Sequence, residues 1–460
     1  MQSYEFDVIV VGAGAAGISA ALAAARSGAR TALLEANPYA GGELVSGLPV
    51  DSCVNARGEW VVGGAARRLF DSVADLGGYI GPVFDWRTMY AVCVDPEIVK
   101  LAVVQELAAA GVTVRLQTMV EGVLATGDGS VRGVSTIGRG GRSVYLAAQI
   151  VDCSGDAWLP VKAGAQTVAA DESELQPVSL VYRIGPVDFE RYLTFVRDNP
   201  GEFLLGENPS IGLTPAECAR RAYDSGMPHV ALSCDGPLLG GAIASGEMYP
   251  CTFVFTWPTS LARHEVGLNT TRVAGIDATD DAHLSDVFAD LAEQVVQGLA
   301  FCQKHLPGFD NASLTGLASR VGVRETRRIL GEYTLTADDV ISARKRDDGV
   351  AKGSHHVDIH GRGTAQLRIP VQDGGSYDVP LGTLIPVGLK NLLVAGRCLS
   401  SSREANGSAR VMGTCLGTGQ AAGVAAAMAA QRRIDDIRDL PIAELRQALR
   451  EMGAVLDGVH

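Results

Sequence analysis

The chain is short of paired cysteines, aromatic residues and positive charge, and each shortage excludes something. Its 9 cysteines include no CxxC pair and no spacing suited to zinc. No metal site is therefore expected, and the thiols read as reduced, which suits the cytoplasm. Aromatics make up 6% of 460 residues, and 39 Lys plus Arg stand against 52 Asp plus Glu, a formal net charge of −13. That balance offers no electrostatic footprint for nucleic acid or an anionic membrane. No signal peptide is expected before Tyr4–Val11, because the start lacks a basic region and carries Glu5 and Asp7. The one uncharged stretch of membrane length, Val411 to Gln431, holds four glycines, two threonines and Gln420. It reads as a buried helix with its approach, so no membrane span is expected.

Apolar residues and glycine are plentiful. Hydrophobic residues reach 47%, enough to bury a sizeable core, and the length suggests two or three domains. The 55 glycines follow no G-X-Y period, so they belong to turns and close backbone approaches.

The first such approach is near the N-terminus. Phe6–Val11 is a β-branched run of strand length, followed at once by Gly12-Ala13-Gly14-Ala15-Ala16-Gly17 and an Ala-rich helical stretch to Arg26. A second apolar strand, Arg30–Leu34, ends in Glu35. Gly12 permits the tight turn, Gly14 lets backbone approach a pyrophosphate, and Gly17 lets helix and strand pack. Ala15 and Ala16 open the helix, whose free N–H groups and dipole favour an anion. Glu35 is positioned to accept a ribose 2′-hydroxyl, and its charge would repel a 2′-phosphate, which favours FAD or NAD over NADP. A double glycine, Gly41-Gly42, follows and resembles the extended FAD fingerprint. No second glycine-loop series appears, so the nicotinamide domain of disulfide reductases is not expected.

Further along, Asp95–Gly111 reads as a helix and Val112–Leu116 as a strand, and turn-linked strands up to Leu146 make a small meander. Gly138–Gly141 is its hairpin turn. Ile150–Asp156 is an apolar strand closing on Ser-Gly-Asp, and Gly155 and Asp156 resemble the flavoprotein segment near the adenosine half of FAD. From about Thr167 to His360 the pattern turns to mixed strands, loops and helices, among them Asp286–Lys304. Asn391–Gly396 is a buried strand followed by Arg397 where flavin hydroxylases carry Gly-Asp. Gly417, Gly419 and Gln420 open an Ala-rich helix, whose N-terminus is expected at the flavin pyrimidine edge.

Several segments together, VGAGAAG, VDCSGD, Val321–Val340, VDIHG and Leu381 to Ala430, carry a resemblance to FAD-dependent oxidoreductases related to the fumarate reductase flavoprotein. The resemblance implies an α/β fold: a Rossmann-type, glutathione-reductase-like FAD domain with an inserted mixed α+β substrate domain. The expected division is 1–166 and 361–432 for the FAD domain, 167–360 for the insert and 433–460 for a helical tail. It implies hydride transfer between a small organic substrate and flavin N5, with FAD the cofactor and oxygen or a redox partner the electron acceptor. A homo-oligomer is compatible with the chain, and a non-redox flavin isomerase or binding protein is the alternative function. FAD is expected to be non-covalent; a covalent link would come from Cys53 or Cys398.

The resemblance fails at one point, where a frequent histidine is replaced by Arg403. This arginine could hold a substrate carboxylate, donate a proton, contact FAD phosphate or pair with Glu404. Other candidate proton handlers are Glu43, His355, His356, His360 and Tyr377. Arg324, Arg327 and Arg328 form a possible anion clamp, although helix-like spacing beside Glu325 favours ion pairs for two of them.

Overall fold

A computed structural model describes residues 2–460. At its centre lies a sheet whose parallel strands run Thr113–Arg115, Thr31–Leu34, Gln2–Val11, Gly141–Asp152 and Leu392–Val394 across its width. We term Gln2–Val11 β1, Thr31–Leu34 β2, and the intervening helix Ala15–Arg26 α1. Val8–Val11, Ala32–Leu34 and Leu392–Val394 are apolar and buried, as parallel strands covered on both faces must be. Register brings Val11 beside Leu34 and Asp152, and Asp152 beside Val394. The carboxyl ends of β1, β2, Gly141–Asp152 and Leu392–Val394 therefore share one edge, where an open α/β sheet binds its ligand.

The meander is present, with one difference from the sequence reading. Its last arm and the later apolar strand are a single strand, Gly141–Asp152, because Ala147–Gln149 continue the extended backbone without a break. The first half pairs antiparallel with Val131–Gly138, and the strand also runs parallel to β1. The helix Pro96–Ala109 matches expectation, with Asp95 accepting from the Glu97 N–H at its start.

The long C-terminal helix begins at Met412 and ends at Arg432, so Gly417, Gly419 and Gln420 lie within it and do not open it. Their surroundings explain the glycines. A Cβ at Gly419 would fall 2.1 Å from the Ala16 carbonyl oxygen, and one at Gly423 2.2 Å from that of Ala20. The two helices thus cross backbone to backbone, with α1 buried from Ala15 to Ala24. Gln420 is also structural, since its side-chain oxygen accepts from the Ala65 N–H at 3.0 Å.

The second body is an antiparallel sheet of five strands, ordered Val230–Ser233, Phe253–Ser260, Glu265–Asn269, Tyr182–Gly185 and Ser313–Leu317. Helices Phe189–Asp198, Pro215–Ser225 and Asp281–His305 accompany it, and its core includes Tyr182, Tyr192, Trp257 and Phe301. The last helix starts earlier than its apolar spacing suggests, because the Asp280 carboxylate caps the Ala282 and His283 N–H groups. Leu335, Val340, Val350, Tyr377 and Val379 belong to the first core, as do Leu445 and Leu449. The chain thus rejoins the dinucleotide-binding body upstream of residue 361, and the last helix packs into that body. Among the described residues, no helix is long and apolar enough to cross a membrane.

Candidate functional site

The strand-end edge carries the glycine loop. Gly12 has φ +91°, and a Cβ there would meet the Cys153 carbonyl oxygen at 2.6 Å. Gly14, by contrast, has open space where its Cβ would stand. It precedes α1, whose first turn is buried and has neither a side-chain cap nor an acidic residue. Those N–H groups await an anion. The Gly41 N–H donates to the Ala13 carbonyl at 2.8 Å, and a Cβ at Gly42 would lie 2.7 Å from the Gly14 Cα. The double glycine is thus folded back onto the loop. Glu35 is buried at the end of β2 and accepts from the Ala13 N–H at 2.6 Å and the Asn37 N–H at 2.8 Å. Glu35→Ala is expected to weaken FAD retention by about 1–3 kcal/mol, the usual range for a charge-assisted bond. Flavin occupancy after dialysis checks this.

On the neighbouring strand ends, the Arg397 Nε donates to the Gly155 carbonyl at 2.9 Å, and its guanidinium pairs with Asp156 at 2.6 Å. Gly396 lies against the first turn of α1, its Cβ position 3.1 Å from the Ala16 side chain. An uncapped buried helix start, an open face at Gly14 and an acid at the end of β2 together fit a dinucleotide.

From this edge a cavity of about 160 Å³ extends between the two bodies. Glu43, Asp51, Arg324, His355, Asp358, His360, Arg397 and Arg410 supply its charged and titratable wall, and Val411 and Met412 bring the start of the long helix to it. That helix has no side-chain cap and no acidic residue in its first turn. The start of the helix on the cavity wall lies five residues before Gly417, the residue expected to open it.

The predicted proton handlers divide. His360 and His355 reach the cavity, and burial pulls both imidazoles down to about 4, so both are neutral at pH 7. The His360 Nε2 bonds the Asp358 carboxylate at 2.8 Å. Burial opposes ionisation of Asp358, but His360, His356 and His355 overrule it and hold the carboxyl well below its ordinary value. His356 stacks on His355 with ring centroids 4.0 Å apart, does not line the cavity, and has no partner for either ring nitrogen. Glu43 reaches the wall and pairs with Arg320 at 3.3 Å.

Tyr377 is absent from the wall. It is fully buried in the core, its hydroxyl paired with Ser408 at 2.8 Å, and burial raises its pKa. Arg403 also lies off the cavity. Residue 403 opens the short helix Arg403–Ala409, where its Nε faces Glu325 at 3.3 Å and its terminal nitrogen donates to the Glu174 carbonyl. The region of Arg324 to Arg328 is extended, with Arg327–Ile329 pairing Thr167–Ala169, so helical spacing does not apply. Arg328 pairs with Glu325 at 2.9 Å, while Arg324 alone of the three faces the cavity. Cys53 and Cys398 are buried off the cavity, with burial raising both thiols, which removes them as covalent anchors.

Sequence reasoning missed Asp51 and Arg410. Asp51 ends the short strand Val50–Asp51, and a third of its side chain faces the cavity, yet surrounding protein pushes its pKa up to about 7. Its segment is held on the first turn of the long helix, where a Cβ at Gly413 would strike the Asp51 carbonyl oxygen at 2.4 Å. A lone Asp in an apolar run carries no motif, and Arg410 stands one residue before the helix cap, where no spacing rule marks it.

Fold and site together define a dinucleotide-binding protein of the α/β class. The match of the family model for FAD-dependent oxidoreductases to residues 7–449 gives the particular assignment: the chain belongs to that family, and its cofactor is FAD. Among curated relatives, the tRNA uridine 5-carboxymethylaminomethyl modification enzyme MnmG of Rhodopirellula baltica is 42% identical over 83 residues, 18% of this chain and 11% of that protein. The enzyme of the same description from Exiguobacterium sibiricum is 65% identical over 37 residues, 8% of this chain and 6% of that protein. The chain thus matches only a small part of either relative's length. A solved geranylgeranyl bacteriochlorophyll reductase-like protein of Thermoplasma acidophilum aligns at 12% identity and TM-score 0.47, over 98% of this chain and 85% of that one.

Proposed function

We propose that this enzyme dehydrogenates or reduces a small organic substrate held in the cavity between its two bodies. The observation that carries the reading is Asp51, a carboxyl poised near neutrality on the cavity wall at the start of the long helix. Bound FAD would accept or donate the hydride. Gly14, the first turn of α1, Gly41, Gly42 and Glu35 would hold it, and the start of the Met412–Arg432 helix would face its ring system. Asp51 exchanges the substrate proton, since its two forms are both populated near pH 7 and proton transfer is most efficient at a matched pKa. The His355 Nε2 lies 3.9 Å from the Asp51 carboxylate and, being neutral, can accept or pass that proton.

A cavity of about 160 Å³ favours a small substrate. The net charge of −13 and the burial of the site arginines argue against nucleic acid as substrate. The free state of all 9 cysteines supports a reducing compartment, the cytoplasm. Anaerobic addition of a panel of small alcohols, amines, acids and unsaturated acids tests the reading at the flavin absorbance band. Bleaching by a member of the panel, or reoxidation of prereduced protein by one, is the expected result. Binding shifts without any redox change across the panel would favour the isomerase or binding-protein alternative.

The displaced arginine makes a separate prediction. Arg403→Ala is expected to keep turnover within about twofold and to cost at most about 1 kcal/mol of stability, as for a partly exposed ion pair. Thermal unfolding and steady-state rates of the variant check it, and a large loss of turnover would return Arg403 to the site.

A further inference from the structure

The cavity wall carries two arginines that, among the described residues, make no hydrogen bond or close ion pair with a carboxylate. Arg324 donates to the Pro177 carbonyl at 2.7 Å, to the Ser179 hydroxyl at 2.5 Å and to the Asn269 amide oxygen at 3.4 Å. Arg410 donates to the Gln176 amide oxygen at 3.3 Å and to the Asp358 carbonyl at 3.2 Å, and its buried Nε has no partner. Every one of these acceptors is neutral. Other buried arginines are treated differently, with Arg328 on Glu325 and Arg183 on Glu265 at 2.9 and 3.2 Å. Burial and then the charge of Arg410 pull Arg324 down to about 9, and burial lowers Arg410 as well. Both guanidiniums remain charged at pH 7.

Among the described residues no carboxylate lies within ion-pair distance of either guanidinium. Asp358 bonds His360, Glu43 faces Arg320, and Asp51 stands near its titration midpoint, so Asp358 and Glu43 act on the two arginines only from farther off. Two partly buried cations hydrogen-bonded only to neutral acceptors leave charge for a closer partner to satisfy, and an anionic ligand would be that partner.

We infer that Arg324 and Arg410 bind a carboxylate of the substrate, and that the substrate carries one such group. The inference rests on the cavity being the substrate site. A guanidinium fork matches a carboxylate in shape as well as charge. Glu43 and Asp51 on the same wall would repel a second carboxylate, so the rest of the molecule is neutral or cationic.

The test is an equilibrium titration of the FAD-loaded enzyme, read at the flavin band and by calorimetry, which requires no turnover. The probes are propionate and benzoate, their neutral amides, and the dicarboxylate succinate. The monocarboxylates are expected to bind at least about tenfold more tightly than their amides and than succinate. Arg410→Gln and Arg324→Gln should each keep FAD and weaken the carboxylates about 10–100-fold while leaving amide binding unchanged. Equal binding of acids and amides by yellow wild-type protein would overturn the inference, as would carboxylate binding indifferent to both substitutions. Loss of FAD from folded Arg410→Gln or Arg324→Gln protein would also overturn it, by assigning the pair to the cofactor phosphate. A redox-inactive protein that still binds monocarboxylates through these arginines would refute the oxidoreductase reading alone.

Discussion

Gly14→Leu is expected to give a folded, colourless protein. Residue 14 has φ −76° and ψ −168°, extended backbone that leucine adopts without strain, and its Cβ would meet no protein atom within 4 Å. The substitution therefore spares the fold. What it fills is the space before the uncapped first turn of α1, where a pyrophosphate must come close to the backbone. Flavin content of the purified variant should fall below detection, while its far-UV circular dichroism and unfolding transition resemble those of wild-type apoprotein. Gly12 makes an instructive control, because a side chain there clashes with backbone at 2.6 Å and should impair folding itself. Yellow Gly14→Leu protein would move the cofactor phosphates elsewhere.

Asp51→Asn carries the second large effect. Turnover should fall about 10²–10⁴-fold, the range for losing a general acid or base, with a smaller change in KM. Burial is the main reason its carboxyl rises to about 7; Asp85 and Asp358 add to the rise, while Arg87 and Arg410 oppose it. His355 also faces it. The wild-type rate profile should bend near pH 7, and the bend should vanish in Asp51→Asn. Stability supplies an independent readout. The folded state holds this proton more tightly than the unfolded chain does, so the contribution to stability is complete below the ordinary value of 3.8. It is lost as pH rises through about 7. Asparagine cannot ionise, so the variant apoprotein should gain melting temperature over wild type increasingly from pH 5 to pH 8. A gain at pH 5 that disappears at pH 8 would contradict the raised pKa.

The parts of this protein legible in sequence are those where one local rule suffices. Phe6–Val11, the glycine loop and Glu35 are contiguous, and each residue's role follows from backbone sterics and a helix end. The start of the long helix was harder to read. Glycines at 417 and 419 resemble a loop, but both lie inside the helix, and Gly419 serves a helix crossing with Ala16, a partner some 400 residues away in sequence. Arg403 stood where a motif pointed, yet the turn into Arg403–Ala409 directs it to Glu325, and the arginine that reaches the cavity follows at 410. The cavity draws Asp51, Arg324 and Arg410 from three distant segments, and their meeting is a tertiary event. Tyr377 shows the converse error: a residue capable of chemistry that packing has made part of the core.

The crossing of α1 with the Met412–Arg432 helix also fixes an order of events during synthesis. Both faces of α1 are buried from Ala15 to Ala24, one of them by a helix made some 400 residues later. Until about residue 430 has left the ribosome, the nascent glycine-loop helix has an uncovered apolar flank, and the central sheet lacks Leu392–Val394. A chain arrested at residue 380 would therefore expose an apolar surface at its own N-terminus and be prone to aggregation and chaperone capture. The glycine-loop body is therefore completed only once a helix made some 400 residues later has docked against α1.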